Sequence, residues 1–165
     1  MTTLATQAIE LLRTGEVRQP VTETIGARLV EHEPGRAVYE MPVAEALANP
    51  MGAVQGGIVT AMADAAMAVA AVGVLSDDEF STTSVTTCDI FARFLAPVRV
   101  GRAQVLRGEA TVVRHGRSLV WTECEVTADG APVARFTGTG VKVSFSAGQY
   151  TETIGKPSTR IGAGA

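Results

Sequence analysis

Histidine and cysteine are scarce in this chain, two of each in 165 residues. Cys88 and Cys124 fall inside strand-like stretches without the spacing of metal ligands, which argues against a disulfide framework and a cysteine-built zinc site. We read them as reduced core thiols, a usage that fits a cytoplasmic protein. His32 and His115 fall at a strand end and in a turn, and neither has an Asp with a Ser or Cys around it. A hydrolase triad is therefore a poor reading, and no metal is expected. Excess charge is absent too: 14 basic residues stand against 17 acidic ones, a net charge of -3, which gives no hint of a nucleic-acid partner. Neither a P-loop nor a dinucleotide fingerprint is present. The first residues lack a basic region, an apolar block and a cleavage site, so they do not read as a secretory signal.

Apolar residues are abundant, at 46% of the chain, enough for one domain to enclose a core of its own. They are densest in residues 49–75, NPMGAVQGGIVTAMADAAMAVAAVGVL, where a glycine-rich turn opens into a long apolar segment with a single carboxylate, Asp64. Residues 58–75 come close to the length of a membrane span. Asp64 near the middle, the mildly hydrophobic alanines and the lack of Lys or Arg in the nearby loops favour a helix buried in a soluble fold instead. No membrane partner is expected.

Around this segment the periodicity is of two kinds. Residues 3–13 suit an amphipathic helix capped by Thr2 or Thr3, a cover for the rest. Residues 25–29 and 37–43 alternate apolar and polar about an EPG turn, a hairpin signal. Residues 44–57 read as a short helix or loop, and SDDEF at 76–80 as a polar exit loop. Strands follow at 84–95, 101–114, 118–127 and 133–145, with a tight hairpin at Asp129 and Gly130. The GTG at 138–140 suggests a bulge or the close approach of another backbone. The expected organisation is a cover at 1–20, one α+β domain at 21–146 and a flexible Gly, Ser and Thr-rich tail at 147–165. About six antiparallel strands curl around one long helix, and the open edges of such a sheet favour a homodimer that extends it.

The chemistry gathers in the central stretch. An isolated Asp in an apolar run is costly unless a partner or a task holds it there. Gly56 and Gly57 precede the helix, where free N–H groups carry positive partial charge and glycine admits a close ligand, a geometry suited to an oxyanion. Asn49 and Gln55 add neutral amides able to orient a water or a carbonyl, and Asp64 supplies a base or nucleophile. Asn49, Gly52, the QGG at Gln55 to Gly57 and Asp64 resemble the signature of hotdog-fold acyl-CoA thioesterases of the PaaI type, phenylacetate-degradation and 4-hydroxybenzoyl-CoA thioesterases among them. FLAPV at 94–98, HGRS at 115–118 and the ADG hairpin extend the likeness over roughly residues 24–145.

That resemblance implies a hotdog fold and hydrolysis of an acyl-CoA to free acid and CoA, with no cofactor beyond the CoA of the substrate. It implies that the Gly56 N–H polarises the thioester carbonyl, that Asn49 positions carbonyl or water, and that Asp64 activates water or attacks directly. In such proteins the Asp faces the Asn of a second subunit, so a homodimer, itself paired into a dimer of dimers, is implied. Gln55 stands where most members carry His; it keeps a hydrogen bond but does not titrate near neutral pH. Alignment on Pro97 puts Thr87 where relatives carry a Ser or Thr near the nucleophilic water. Arg93, Arg114 and Arg117 are candidates for the CoA phosphates, with a solvated surface charge as the alternative for each. Met67 is either core filler or part of an acyl tunnel, and Gly57 joins it as a candidate for substrate binding. The competing reading from a different class is a non-catalytic acyl-CoA binding or sensing protein, motivated by Gln55.

Overall fold

The computed structural model describes residues 2–144; the expected flexible tail lies outside the described residues. In chain order the elements are α1 (Leu4–Thr14), α2 (Pro20–Thr24), β1 (Arg28–Glu33), β2 (Arg36–Pro42), a 3-10 turn (Glu45–Leu47), α3 (Gly56–Val72), α4 (Asp77–Phe80), β3 (Thr83–Phe94), β4 (Val105–His115), β5 (Leu119–Ala128) and β6 (Ala131–Ser144). The six strands form one antiparallel sheet in the order β1-β2-β4-β5-β6-β3. Helix α3 lies across its inner face and touches every strand, which is why the helix sequence is apolar nearly all round. This is the hotdog architecture expected from the sequence.

The core forms where α3 meets the middle of the sheet. Ala63, Ala66 and Ala70 are fully buried and let the helix sit close, while Met62 packs in one cluster with Tyr39, Met41 and Leu106. Burying each of the larger side chains contributes about 1.5–3 kcal/mol. The hairpin between β5 and β6 closes on Asp129 (φ 46°) and Gly130 (φ 88°), positive φ at both central positions as a type I′ turn requires. Helix α1 is capped by Thr3, whose hydroxyl accepts from the Thr6 N–H, and packs on β1, where its Glu10 meets His32 at 2.9 Å. No helix of the described residues is long and apolar enough to cross a membrane.

Three expectations need correction, and a fourth holds in one of its two forms. SDDEF is not a plain loop: Ser76 and Glu79 form a capping box that starts α4. Residues 25–27 are not strand, because Pro20 begins the short helix α2 and Ile25 ends it, delaying β1 to Arg28. At the GTG it is the close approach of another backbone that holds, a Cβ on Gly138 falling 3.3 Å from the Asp89 carbonyl oxygen, while the register slip lies opposite it on β3, between Thr87 and Asp89. Cys88 is the residue of that slip and is exposed, so only Cys124 is a core thiol; burial pushes its pKa up to about 12.

Glu79 also accepts from Lys142 at 2.6 Å, and this bond, followed by the Ser76 backbone N–H, lowers its pKa from 4.5 to about 2. Glu10 is lowered to about 2 by the hydrogen bond from Arg13 and then by that from His32. In both cases the folded state binds its proton later than the unfolded chain, so the stabilisation is present above pH 4.5 and is lost as pH falls towards 2. Urea unfolding midpoints are therefore expected to decline across that window, and Glu79→Gln is expected to make the decline shallower.

Candidate active site

Gln55 ends the loop before α3 and is the N-cap of that helix, but its side chain makes no capping hydrogen bond. Its backbone carbonyl accepts from Ile58 and Val59, whereas the N–H groups of Gly56 and Gly57 have no acceptor among the described residues. Two donors thus stand open at the positive end of a 17-residue helix. Gly56 stands close under an aromatic ring: a Cβ there would lie 3.0 Å from Cζ of Phe94, so that the ring would have to give way by a few tenths of an ångström. Phe94 is half-exposed and stands edge-on to Phe136, with ring centroids 5.9 Å apart. Gly57 has open space around it, so it carries no such constraint.

Asn49 is held by its own turn. Its Oδ1 accepts from the N–H groups of Met51 (2.9 Å) and Ala53 (3.3 Å), while its Nδ2 has no partner among the described residues. The oxygen is occupied and the amide hydrogens are left to donate. Asn49 and Gly56 line one cavity of about 390 Å³ together with Val59, Phe94 and residues 95–98, and no charged side chain is in its lining.

Asp64 follows Gly56 by about two helical turns, roughly 12 Å along the axis. It is half-buried, and the Thr87 hydroxyl donates to its Oδ1 at 2.6 Å. No cation pairs with it among the described residues. The bulge on β3 explains how Thr87 reaches it. Ile90 and Ala92 pack against the core, and strict alternation would turn Thr87 to the outer face with Asp89 and Phe91. Cys88 is the extra residue, and its insertion returns Thr87 to the inner face opposite Gly140. Met67, one turn beyond Asp64, lines a narrow crevice with Val85, Thr87, Thr122 and Gly140.

The predicted residues therefore fall into two groups within one chain: Asn49, Gln55, Gly56 and Gly57 at the start of α3, and Asp64, Met67 and Thr87 further along it. The three arginines belong to neither. Arg93 stacks on Phe91 (5.8 Å) and pairs in register with Arg135, on the side of β3 opposite Phe94. Arg114 stacks on Trp121 (5.3 Å), and Arg117 is exposed in the turn after β4. Sequence reasoning used Phe94 only as part of a motif and missed its contact with Gly56. A bulky aromatic returning from a strand end is the one trace it leaves in the sequence.

Residues 51–134 match the family model described as Thioesterase superfamily. A 1,4-dihydroxy-2-naphthoyl-CoA hydrolase of Listeria monocytogenes serotype 1/2a (strain 10403S) is 30% identical over 105 residues, covering 64% of this chain and 80% of that protein. Among solved structures, a thioesterase family protein from Silicibacter pomeroyi superposes with a TM-score of 0.72 at 29% identity, covering 83% of this chain and 98% of its own. A variant of the phenylacetic acid degradation protein PaaI from Thermus thermophilus does so with a TM-score of 0.68 at 26% identity, covering 76% and 100%.

Proposed function

The chain belongs to the thioesterase superfamily, and from that premise we propose that it hydrolyses an acyl-CoA thioester to the free acid and CoA, with Asp64 as general base or nucleophile. The observation that carries this reading is the Asp64 carboxylate, half-buried, without a cationic partner among the described residues, and held through one oxygen by the Thr87 hydroxyl. A carboxylate used only to steady the fold would be expected to find a cation or several donors.

In the general-base form, Asp64 takes a proton from water as the water oxygen bonds to the thioester carbon. The carbonyl oxygen gains negative charge and is received by the Gly56 N–H, a type of contact worth about 2.7–4 kcal/mol in the transition state. The C–S bond then breaks, the acid is released, and the CoA sulfur leaves as thiolate and takes up a proton. Thr87 orients Asp64, the Asn49 amide hydrogens help hold the carbonyl, and Gln55 contributes a neutral hydrogen bond. Gly57 and Met67 border the acyl and thioester regions in this reading.

Because Asp64 and Gly56 are too far apart along one helix to share a carbonyl, the reading requires a homodimer in which the Asp64 of one protomer meets the Gly56 and Asn49 of the other. β3 supports this: it is a 12-residue strand at the sheet edge, with Phe91 and Phe94 exposed on it and Leu95 exposed just beyond. Pairing of such dimers into a dimer of dimers is part of the same proposal. The test is turnover of a panel of aryl- and fatty-acyl-CoA esters by purified protein, followed with a thiol reagent, alongside mass determination by light scattering. Hydrolysis by a dimer or larger assembly is expected; CoA ester binding without turnover would replace the enzyme with a binding protein.

A further inference from the structure

The arginines among the described residues divide by what they touch. Arg13, Arg18, Arg28, Arg36, Arg107 and Arg135 each pair with a glutamate. Arg93 and Arg114 stack on aromatic rings. Arg99, Arg102 and Arg117 do neither among the described residues, and of these Arg99 and Arg102 lie on the connection between β3 and β4 whose first residues, 95–98, wall the cavity that holds Asn49 and Gly56.

That connection is tied to the Asn49 turn. Ala53 bridges Arg99, the Val54 N–H donates to the Val98 carbonyl at 2.9 Å, and the Val100 N–H donates to the Gly52 carbonyl at 3.1 Å. The Arg99 Nη1 donates to the Met51 carbonyl at 3.3 Å, so the guanidinium lies at this turn and one contact leaves most of its donors unused. The backbone then turns tightly, with the Arg102 and Ala103 N–H groups both donating to the Arg99 carbonyl, which sets Arg102 one turn from Arg99. Among the described residues the neighbourhood holds an uncharged cavity, two helix N–H groups and an Asn49 amide without acceptors, and two guanidinium groups without a carboxylate partner on the connection beside it. This suits a slender arm of hydrocarbon and amides that ends in phosphate, which an arginine receives through several donors at once.

We infer that Arg99 and Arg102 hold phosphate of the CoA carried by the substrate, so that the pantetheine arm runs from the β3–β4 connection past the Asn49 turn to Gly56. This rests on the acyl-CoA reading above. It assigns the phosphate end to residues other than Arg93, Arg114 and Arg117.

The test compares an acyl-CoA ester with the matching S-acylpantetheine, which ends in a hydroxyl instead of phosphate. In Arg99→Gln and Arg102→Gln, KM for acyl-CoA is expected to rise about tenfold, and further in the double variant, with kcat within about twofold. KM for the S-acylpantetheine is expected to stay the same, and Arg99→Lys is expected to recover part of the loss. Calorimetry with CoA alone makes the result independent of turnover: wild type is expected to bind CoA and the double variant to bind it at least tenfold more weakly. The inference is overturned if the double variant binds CoA like wild type, if both esters lose equally, or if the KM rise comes instead from Gln variants at 93, 114 or 117. Binding of CoA that depends on Arg99 and Arg102 without hydrolysis of any ester would uphold the inference and overturn the thioesterase reading.

Discussion

Asp64→Asn is expected to leave the protein folded and to lower kcat for acyl-CoA hydrolysis about 10²–10⁴-fold, the usual contribution of a positioned acid or base. The substitution is chosen to separate charge from shape. The Thr87 hydroxyl donates to Oδ1 of Asp64, and an Asn oxygen accepts the same bond, so the link between α3 and β3 survives. What is lost is the ability to take a proton from water or to attack carbon. KM is expected to change little, because the CoA arm does not depend on this charge. Thr87→Val should fall between, with kcat down about tenfold, since it removes the orienting hydroxyl and keeps the carboxylate. Steady-state kinetics with a thiol reagent measures both variants against wild type. Wild-type rates in Asp64→Asn, in protein with an unchanged unfolding temperature, would remove Asp64 from the chemistry.

Gly140→Ala is expected to cause the largest loss of stability of any single methyl addition on β6, about 1–3 kcal/mol. A Cβ at position 140 would lie well inside contact distance of Cγ1 of Val85. Val85 is buried and β-branched, so its rotamer freedom is small and its movement is resisted by the cluster of Ala71, Leu75 and Val120 around it. Chemical denaturation of Gly140→Ala, Val85→Ala and the double variant would test this. The double variant is expected to be more stable than the sum of the single losses implies, because Val85→Ala makes the space that the methyl group added at position 140 needs. Additive losses would show that the crowding is relieved elsewhere.

The sequence made the parts with strong periodicity or turn chemistry readable. Helix α3 stood out by its apolar run, the strands by alternation, and the β5–β6 hairpin by Asp129 and Gly130, whose φ values of 46° and 88° are those the dipeptide favours. Helix α2 was unreadable as periodicity because five residues are little more than one turn; Pro20 at its start was the available signal. Helix α4 was concealed by its own polarity, since a capping box of Ser76 and Glu79 resembles a solvated loop until its hydrogen bonds are seen.

The candidate site divides in the same manner. Asp64 was conspicuous as the one charge in an apolar helix, and the glycines before it by their position. Thr87 was reached only through resemblance, because its place on the inner face depends on a shift of register that no residue type announces. From the sequence Asn49 is a neutral amide able to orient a water or a carbonyl; in the fold its oxygen closes its own turn, and the nitrogen is left to act. The contact of Phe94 with Gly56 joins residues 38 positions apart and leaves no local pattern.

The slip at Cys88 has a consequence for how this strand stores information. The residue contributes no side chain to the inner face; it contributes a place in the count between Thr87 and Asp89. The count of residues matters here more than the side chain at position 88, because losing one would put the partner of Asp64 on the far side of the sheet. Deleting residue 88 is thus expected to cost more than replacing its side chain.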